Sequence, residues 1–146
     1  MGIDRRGGRV VPGVTGLVVV VAVLAAATAF GLWRRARDGR VTEARVDDLL
    51  GPDELGAALG ERATLVQFST AFCQPCRAAR ATLRHVAADT DGVVHVEIDA
   101  EHHLDLVRRL NILRTPTTLV LDGSGRIVRR ATGAPRLADV RAALPV

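Results

Sequence analysis

The chain has 146 residues, 48% of them hydrophobic, which is enough for one compact domain and a tail but not for two independent domains. A formal charge of +4 invites a nucleic-acid reading, yet residues 1–45 hold eight Arg against three acids, while residues 46–146 hold twelve Arg against thirteen. The basicity therefore lies outside the folded part, and three Phe and one Trp leave little to stack on bases, so nucleic acid is excluded as a partner.

In chain order, residues 1–13 form a basic flank carrying Arg5, Arg6 and Arg9, with Pro12 and Gly13 at the entrance to an apolar run. That run, residues 14–33, VTGLVVVVAVLAAATAFGLW, extends for twenty positions without a charge. As a helix it would span about 30 Å, the hydrocarbon thickness of a bilayer. A cleaved signal peptide competes, with Ala27-Thr28-Ala29 as the cleavage site. The run is longer than a signal core of about 7–15 residues, and Arg34 and Arg35 follow it at once, so the expectation is a single-pass membrane helix. Residues 34–45 are polar and read as a tether, leaving 46–146 as one domain.

Within that domain Pro52–Leu59 has a helical start and spacing between Gly51 and Gly60, and Ala63–Ser69 reads as a strand buried on both faces. A helix follows from Cys76, with Ala79, Leu83, Val86 and Ala87 on one side, ending before Asp91-Gly92. Val93–Ile98 is a strand, Leu104, Val107 and Leu110 mark a helix, and Thr117–Leu121 and Ile127–Ala131 flank the turn Asp122-Gly-Ser-Gly125. Leu137, Val140 and Leu144 give a closing helix. The order α, β, α, β, α, β, β, α predicts an α/β sandwich.

Cys73 and Cys76, the only cysteines, stand at the strand-to-helix junction in Phe72-Cys73-Gln74-Pro75-Cys76. Together with Val66-Gln67-Phe68 before them, Arg114-Thr115-Pro116-Thr117 about forty residues on, and Gly133, they make the chain from Pro52 to Leu144 resemble the thioredoxin superfamily, specifically its membrane-tethered bacterial members. The resemblance implies a three-layer thioredoxin-like sandwich with a mixed central sheet and helices on both faces. It also implies thiol–disulfide exchange with protein thiols or disulfides, no cofactor, and an electron donor or acceptor protein whose identity is unknown.

Cys73 is expected at the helix mouth, where unpaired N–H groups and the helix dipole favour a thiolate, making it the candidate nucleophile. Cys76, one turn down, is the candidate resolving thiol. Phe72, Gln74 and Pro75 shape the turn, and Pro75 costs little in a first turn that lacks intrahelical N–H partners. By the resemblance, Thr115-Pro116 is expected to be cis and to lie against the disulfide, freeing the Thr115 backbone for a substrate strand. Gln67 departs from the family pattern, which usually has a buried Asp there; His95 stands where Lys is common, and two usual Trp appear as Ser69 and Phe72. These departures fit a specialised reductase of dedicated partners.

Two other roles for these residues are weaker. A Cys-x-x-Cys loop is too short to be an effective staple, since stabilisation grows with loop length. A zinc site using His102 and His103 is disfavoured because adjacent helical residues point about 100° apart, so no metal is expected. The alternative to an enzyme is a non-catalytic partner-binding module on the same fold. Five flanking Arg on the C-side against three on the N-side lean the domain slightly toward the cytoplasm.

Overall fold

The computed structural model describes residues 12–43 and 48–146, so the basic flank at 1–11 and residues 44–47 lie outside the described residues. The chain forms two compact units, one ending at Arg37 and one beginning at Asp38. In the first, a single 26-residue helix, α1 (Pro12–Arg37), carries the apolar run. Within Val14–Arg37 the most apolar window of 18 residues has a mean hydropathy of 2.4, and none of that window is buried against protein. It is long and apolar enough to cross a membrane. At its end the Arg37 guanidinium lies 4.1 Å from the centre of the Trp33 ring, and the Thr28 hydroxyl donates to the Leu24 carbonyl at 2.8 Å.

The second unit is a five-stranded mixed sheet built from β1 (Val41–Glu43), β2 (Ala63–Ser69), β3 (Val93–Asp99), β4 (Thr117–Asp122) and β5 (Ile127–Thr132). The spatial order is β1-β5-β4-β2-β3, with β2 and β3 parallel and the remaining neighbours antiparallel. The helices are α2 (Pro52–Leu55), α3 (Gln74–Asp89), α4 (Leu104–Arg109) and α5 (Leu137–Ala143). All seven residues of β2 are buried, as a central strand covered on both faces requires.

Side chains alternate across the sheet, so each strand feeds two cores. On one side Ala63, Leu65, Val93 and Val120 pack with Leu83 and Val86 of α3 and Val140 and Ala143 of α5. On the other, Val66, Phe68, Val96, Ile98, Leu119 and Leu121 meet Leu50, Leu55 of α2, and Leu110 and Ile112 after α4. Helices thus cover both faces, giving the three-layer sandwich. Each fully buried Leu or Phe here contributes roughly 1.5–3 kcal/mol relative to exposure.

Two local expectations need correction. Residues 41–43, expected in the tether, pair with β5 as an edge strand, Val41 opposite Ala131; Gly39, at φ 77°, turns the chain into it and donates to the Thr132 carbonyl at 2.7 Å. A strand of three residues is too short to show alternation. The helix expected over 52–59 stops at Leu55, because Gly56 adopts the left-handed conformation at φ 63° and its N–H closes on the Pro52 carbonyl. Arg130, half-buried on β5, donates to the carbonyls of Leu110 (3.0 Å) and Asn111 (2.8 Å), satisfying acceptors left open where α4 ends.

Among the described residues, one buried side-chain polar atom lacks a hydrogen-bond partner: the hydroxyl of Thr118, in β4 directly opposite Gln67. Burying an unpaired hydroxyl costs about 1–3 kcal/mol. Thr118→Val keeps the branched shape and removes that group, and is expected to raise the unfolding free energy by about 1 kcal/mol in denaturant titrations.

Candidate redox site

The site begins with the end of β2. Strand β2 must cross to its parallel neighbour β3, and α3 is the crossover. The chain leaves Ser69, passes Thr70, Ala71 and Phe72, and enters α3 with Cys73 as its N-cap. Pro75 occupies the first turn, and that turn contains no acidic residue to oppose a negative charge. The backbone N–H of Cys76 points at the Cys73 sulfur, 3.2 Å away.

Cys73 and Cys76 are joined in a disulfide with Cα atoms 5.2 Å apart. Their environments differ. Cys73 is partly exposed at the rim, whereas Cys76 is 1% exposed. Phe72 is fully exposed, and Gln74 and Pro75 also face solvent. The two sulfurs therefore present one reachable and one sheltered atom.

A second loop closes the site. The Thr115–Pro116 bond is cis, with Pro116 buried and Thr115 partly exposed. The hydroxyls of Thr70 and Thr115 lie 3.3 Å apart, holding the segment before Cys73 against the segment before β4. The Thr117 hydroxyl donates to the Arg114 carbonyl at 2.7 Å, which braces the bend. Leu113, just before it, is 84% exposed, so two bare apolar side chains, Leu113 and Phe72, belong to the two loops at this end of the sheet.

Beneath α3, Gln67 is completely buried. Its amide Nε2 donates to the Cys76 carbonyl at 2.9 Å, and its Oε1 lies 3.2 Å from His95 Nε2. Gln67 thus lies beside the deeper cysteine, while the bond from His95 was not legible from spacing alone. It follows from the parallel register, which sets Leu65 opposite His95 and Gln67 opposite Glu97, so that His95 and Glu97 face α3. Burial pushes the His95 imidazole below its ordinary value, Glu97 pulls it up, and Arg84 and Arg80 push it down.

Glu97 anchors a polar cluster that sequence reasoning missed. Its carboxylate accepts from the Ser69 hydroxyl at 2.5 Å and from Arg80 Nε and a terminal nitrogen, both at 2.6 Å. The signal that could have found it is an acid on the α3-facing parity of β3 with an Arg four residues past Cys76. His102 and His103 serve a different purpose: both approach Asp99, His102 its carboxylate at 2.8 Å and His103 its backbone carbonyl at 3.0 Å.

The thioredoxin family model matches residues 53–145. Over 76 residues the chain is 33% identical to thioredoxin domain-containing protein 2 of Homo sapiens, covering 50% of this chain but only 14% of that protein. Among solved structures, a mutant thioredoxin of Halobacterium salinarum NRC-1 superposes with a TM-score of 0.51 at 17% identity, over 56% of this chain and 71% of that one. A thioredoxin of Nicotiana alata gives 0.50 at 24%, over 56% and 70%, and one of Fasciola hepatica 0.50 at 21%, over 62% and 82%. At these identities the structural likeness bears on the fold alone.

Burial pushes the Glu97 carboxyl up, but the hydrogen bonds from Arg80 and Ser69 and the attraction of Arg80 and His95 outweigh it and leave it below the ordinary carboxylate value. A depressed carboxylate stabilises the fold above its unfolded-state value and loses that contribution as pH falls through the folded one. Wild type should therefore melt above Glu97→Gln at neutral pH, and the gap should close as thermal scans are taken below the ordinary carboxylate range.

Proposed function

The chain belongs to the thioredoxin family, and from that premise we propose that it is a membrane-anchored thiol–disulfide oxidoreductase acting on protein thiols or disulfides. The observation that carries this reading is the asymmetric cysteine pair: a partly exposed Cys73 at the mouth of a 16-residue helix, bonded to a buried Cys76. In the reductive direction the Cys73 thiolate attacks one sulfur of a substrate disulfide, and the other sulfur leaves as a thiolate. Cys76 then loses its proton and attacks the Cys73 sulfur, closing the Cys73–Cys76 disulfide and releasing the second substrate thiolate. Two electrons pass from the pair to the substrate, and the released thiolates take up protons from water.

Supporting roles come from placement. Phe72, Gln74 and Pro75 form the exposed turn around Cys73, Gln67 holds the Cys76 carbonyl from below, and the Thr115 backbone, beside buried Pro116, is the edge against which an extended substrate would lie. An apolar contact with exposed Phe72 and Leu113 would favour unfolded or flexible protein segments over small disulfides. The chain spans only 14% of the human relative's length, so substrate and partner rest on this site's chemistry. A dedicated-partner reductase is the direction favoured by the flanking charges. Arg34, Arg35, Arg37, Arg40 and Arg45 outnumber Arg5, Arg6 and Arg9, a bias toward retaining the C-terminal side in the cytoplasm, where thiols are kept reduced. In this reading residues 1–13 are the basic flank, 14–33 the membrane span, 34–45 the junction and 46–146 the catalytic domain.

The assignment is tested by alkylating the reduced protein at neutral pH and by following insulin reduction. Cys73 should be labelled about tenfold or more faster than Cys76, from its thiolate character and access, and Cys73→Ser should abolish reduction. Equal labelling of both thiols would remove the nucleophile assignment, and a wild type inert toward insulin and scrambled disulfides would leave a partner-binding module.

Sidedness is tested separately with a membrane-impermeant thiol reagent on intact cells. Labelling only after lysis is expected for a cytoplasmic domain. Labelling of intact cells would place the domain outside, and a need for prior reductant would show that the pair rests oxidised there.

A further inference from the structure

The amide of Gln67 has only one way to satisfy both its neighbours. The Cys76 carbonyl can only accept, so Gln67 must present its NH2 group there, and its Oε1 is left facing His95 Nε2. An amide oxygen accepts, so His95 Nε2 carries a hydrogen in every protonation state compatible with this contact. Nδ1 is therefore the position that gains or loses a proton. His95 also lines a surface cleft of about 520 Å³ with Arg80, Arg84, Ala87, Ala88 and Glu97, so water can reach the ring, and neither cysteine lines that cleft.

We propose that His95 is a positioning residue that couples the redox step to pH: through Gln67 it orients and polarises the hydrogen bond to Cys76, and its protonated form favours the Cys76 thiolate. This rests on the oxidoreductase reading above and deepens it. Neutral imidazole donates to the Gln67 oxygen and fixes the amide. Imidazolium donates more strongly, polarises the amide, and sets a positive charge one amide away from the Cys76 carbonyl, a favourable field for an anion in a buried setting. The charged groups facing His95 are Arg80 and Arg84 from α3 and Glu97 on its own strand; from β2 it meets the neutral Leu65 and Gln67. Glu97 is bound by Arg80 in two hydrogen bonds, so the charge on His95 is the one in this group that changes near neutral or mildly acidic pH.

The affected step balances without any added reagent. Cys76 gives its proton to water, its thiolate forms a bond to Cys73 Sγ, the bond from Cys73 to the substrate sulfur breaks, and that sulfur leaves with the electron pair. His95 transfers no proton through Gln67. It alters how much of Cys76 is thiolate at a given pH.

The sign is fixed by this linkage. Without a titrating neighbour, the rate of the Cys76 step should rise about tenfold per pH unit, as its thiolate fraction does. With His95, the step gains from imidazolium at low pH and loses that gain as the ring deprotonates. The rise should then be shallower across the imidazole titration. Because burial pushes that titration down, the shallow region should lie on the acid side of an ordinary histidine.

The test uses the full-length reduced protein in detergent with one equivalent of a chromogenic nitrobenzoate disulfide. Attack by Cys73 releases the first coloured thiolate, and displacement by Cys76 releases the second. Wild type should show the shallow region in the second phase alone. His95→Gln, which keeps an amide donor for Gln67 but cannot ionise, should show an unbroken rise of about tenfold per unit and a second phase about threefold or more slower on the acid side. His95→Lys should keep the fast acid-side rate without the shallow region. An unbroken rise in wild type, or a shallow region retained in His95→Gln, overturns the role of His95 while leaving the oxidoreductase reading intact. Absence of the first phase in wild type overturns both.

Discussion

The buried amide of Gln67 joins the sheet to the redox helix, and the fully covered strand that carries it is the constraint on which the site depends. Strand β2 is flanked by β3 and β4 and covered by helices on both faces, so none of its seven residues reaches solvent freely. A polar side chain there must find partners within the protein, because an unpaired buried amide costs as much as a lost hydrogen bond or more. Gln67 finds them in Cys76 above and His95 beside it. A residue that must be satisfied for folding thereby also fixes the height of α3 over the sheet.

That geometry explains the unequal cysteines without a separate cause for either. The crossover from β2 to β3 has to start at the C-terminal end of β2, which delivers the chain to the helix mouth at Cys73. One turn later the helix has descended onto the sheet, and Cys76 is buried by the same packing that buries Ala79 and Leu83. Exposure of one sulfur and shelter of the other are thus consequences of a helix packing obliquely from its first turn. The opposing loop is held by the Thr70–Thr115 contact and by burial of Pro116, so both halves of the rim are tied to the sheet.

Electrostatics divides the α3-facing side of the sheet into two zones. Toward its outer edge, Ser69, Glu97 and Arg80 form a connected ionic cluster that neutralises itself. Toward the centre, Gln67 and Thr118 are neutral and nearly dry. His95 stands between these zones, close enough to the cluster to feel its charges and to the amide to bond it. That position is the basis of the proposed coupling of pH to the interior through a hydrogen bond.

Much of this was legible from residues alone. Apolar, β-rich runs located β2 and β3, three-to-four spacing located α3 and the closing helix, and the Gly-rich turn located the hairpin at Asp122–Gly125, because burial on one or both faces imposes such patterns directly on composition. That the Thr115-Pro116 loop would meet Cys73-Gln-Pro-Cys76 was anticipated from the family resemblance these motifs carry, not from their spacing. Local sequence could not disclose β1, whose three residues become a strand only because β5 offers an edge, nor the early stop of α2 at Gly56. The role of Arg130 was equally hidden, since the carbonyls it caps belong to a helix end about twenty residues away in sequence. Composition determined that β2 would be buried and that two thiols would sit at its end. Only the parallel register of β2 and β3 decided that His95 would touch Gln67 and Glu97 would meet Ser69, because partners across a sheet are chosen by alignment of strands far apart in the chain, and no local pattern encodes that alignment.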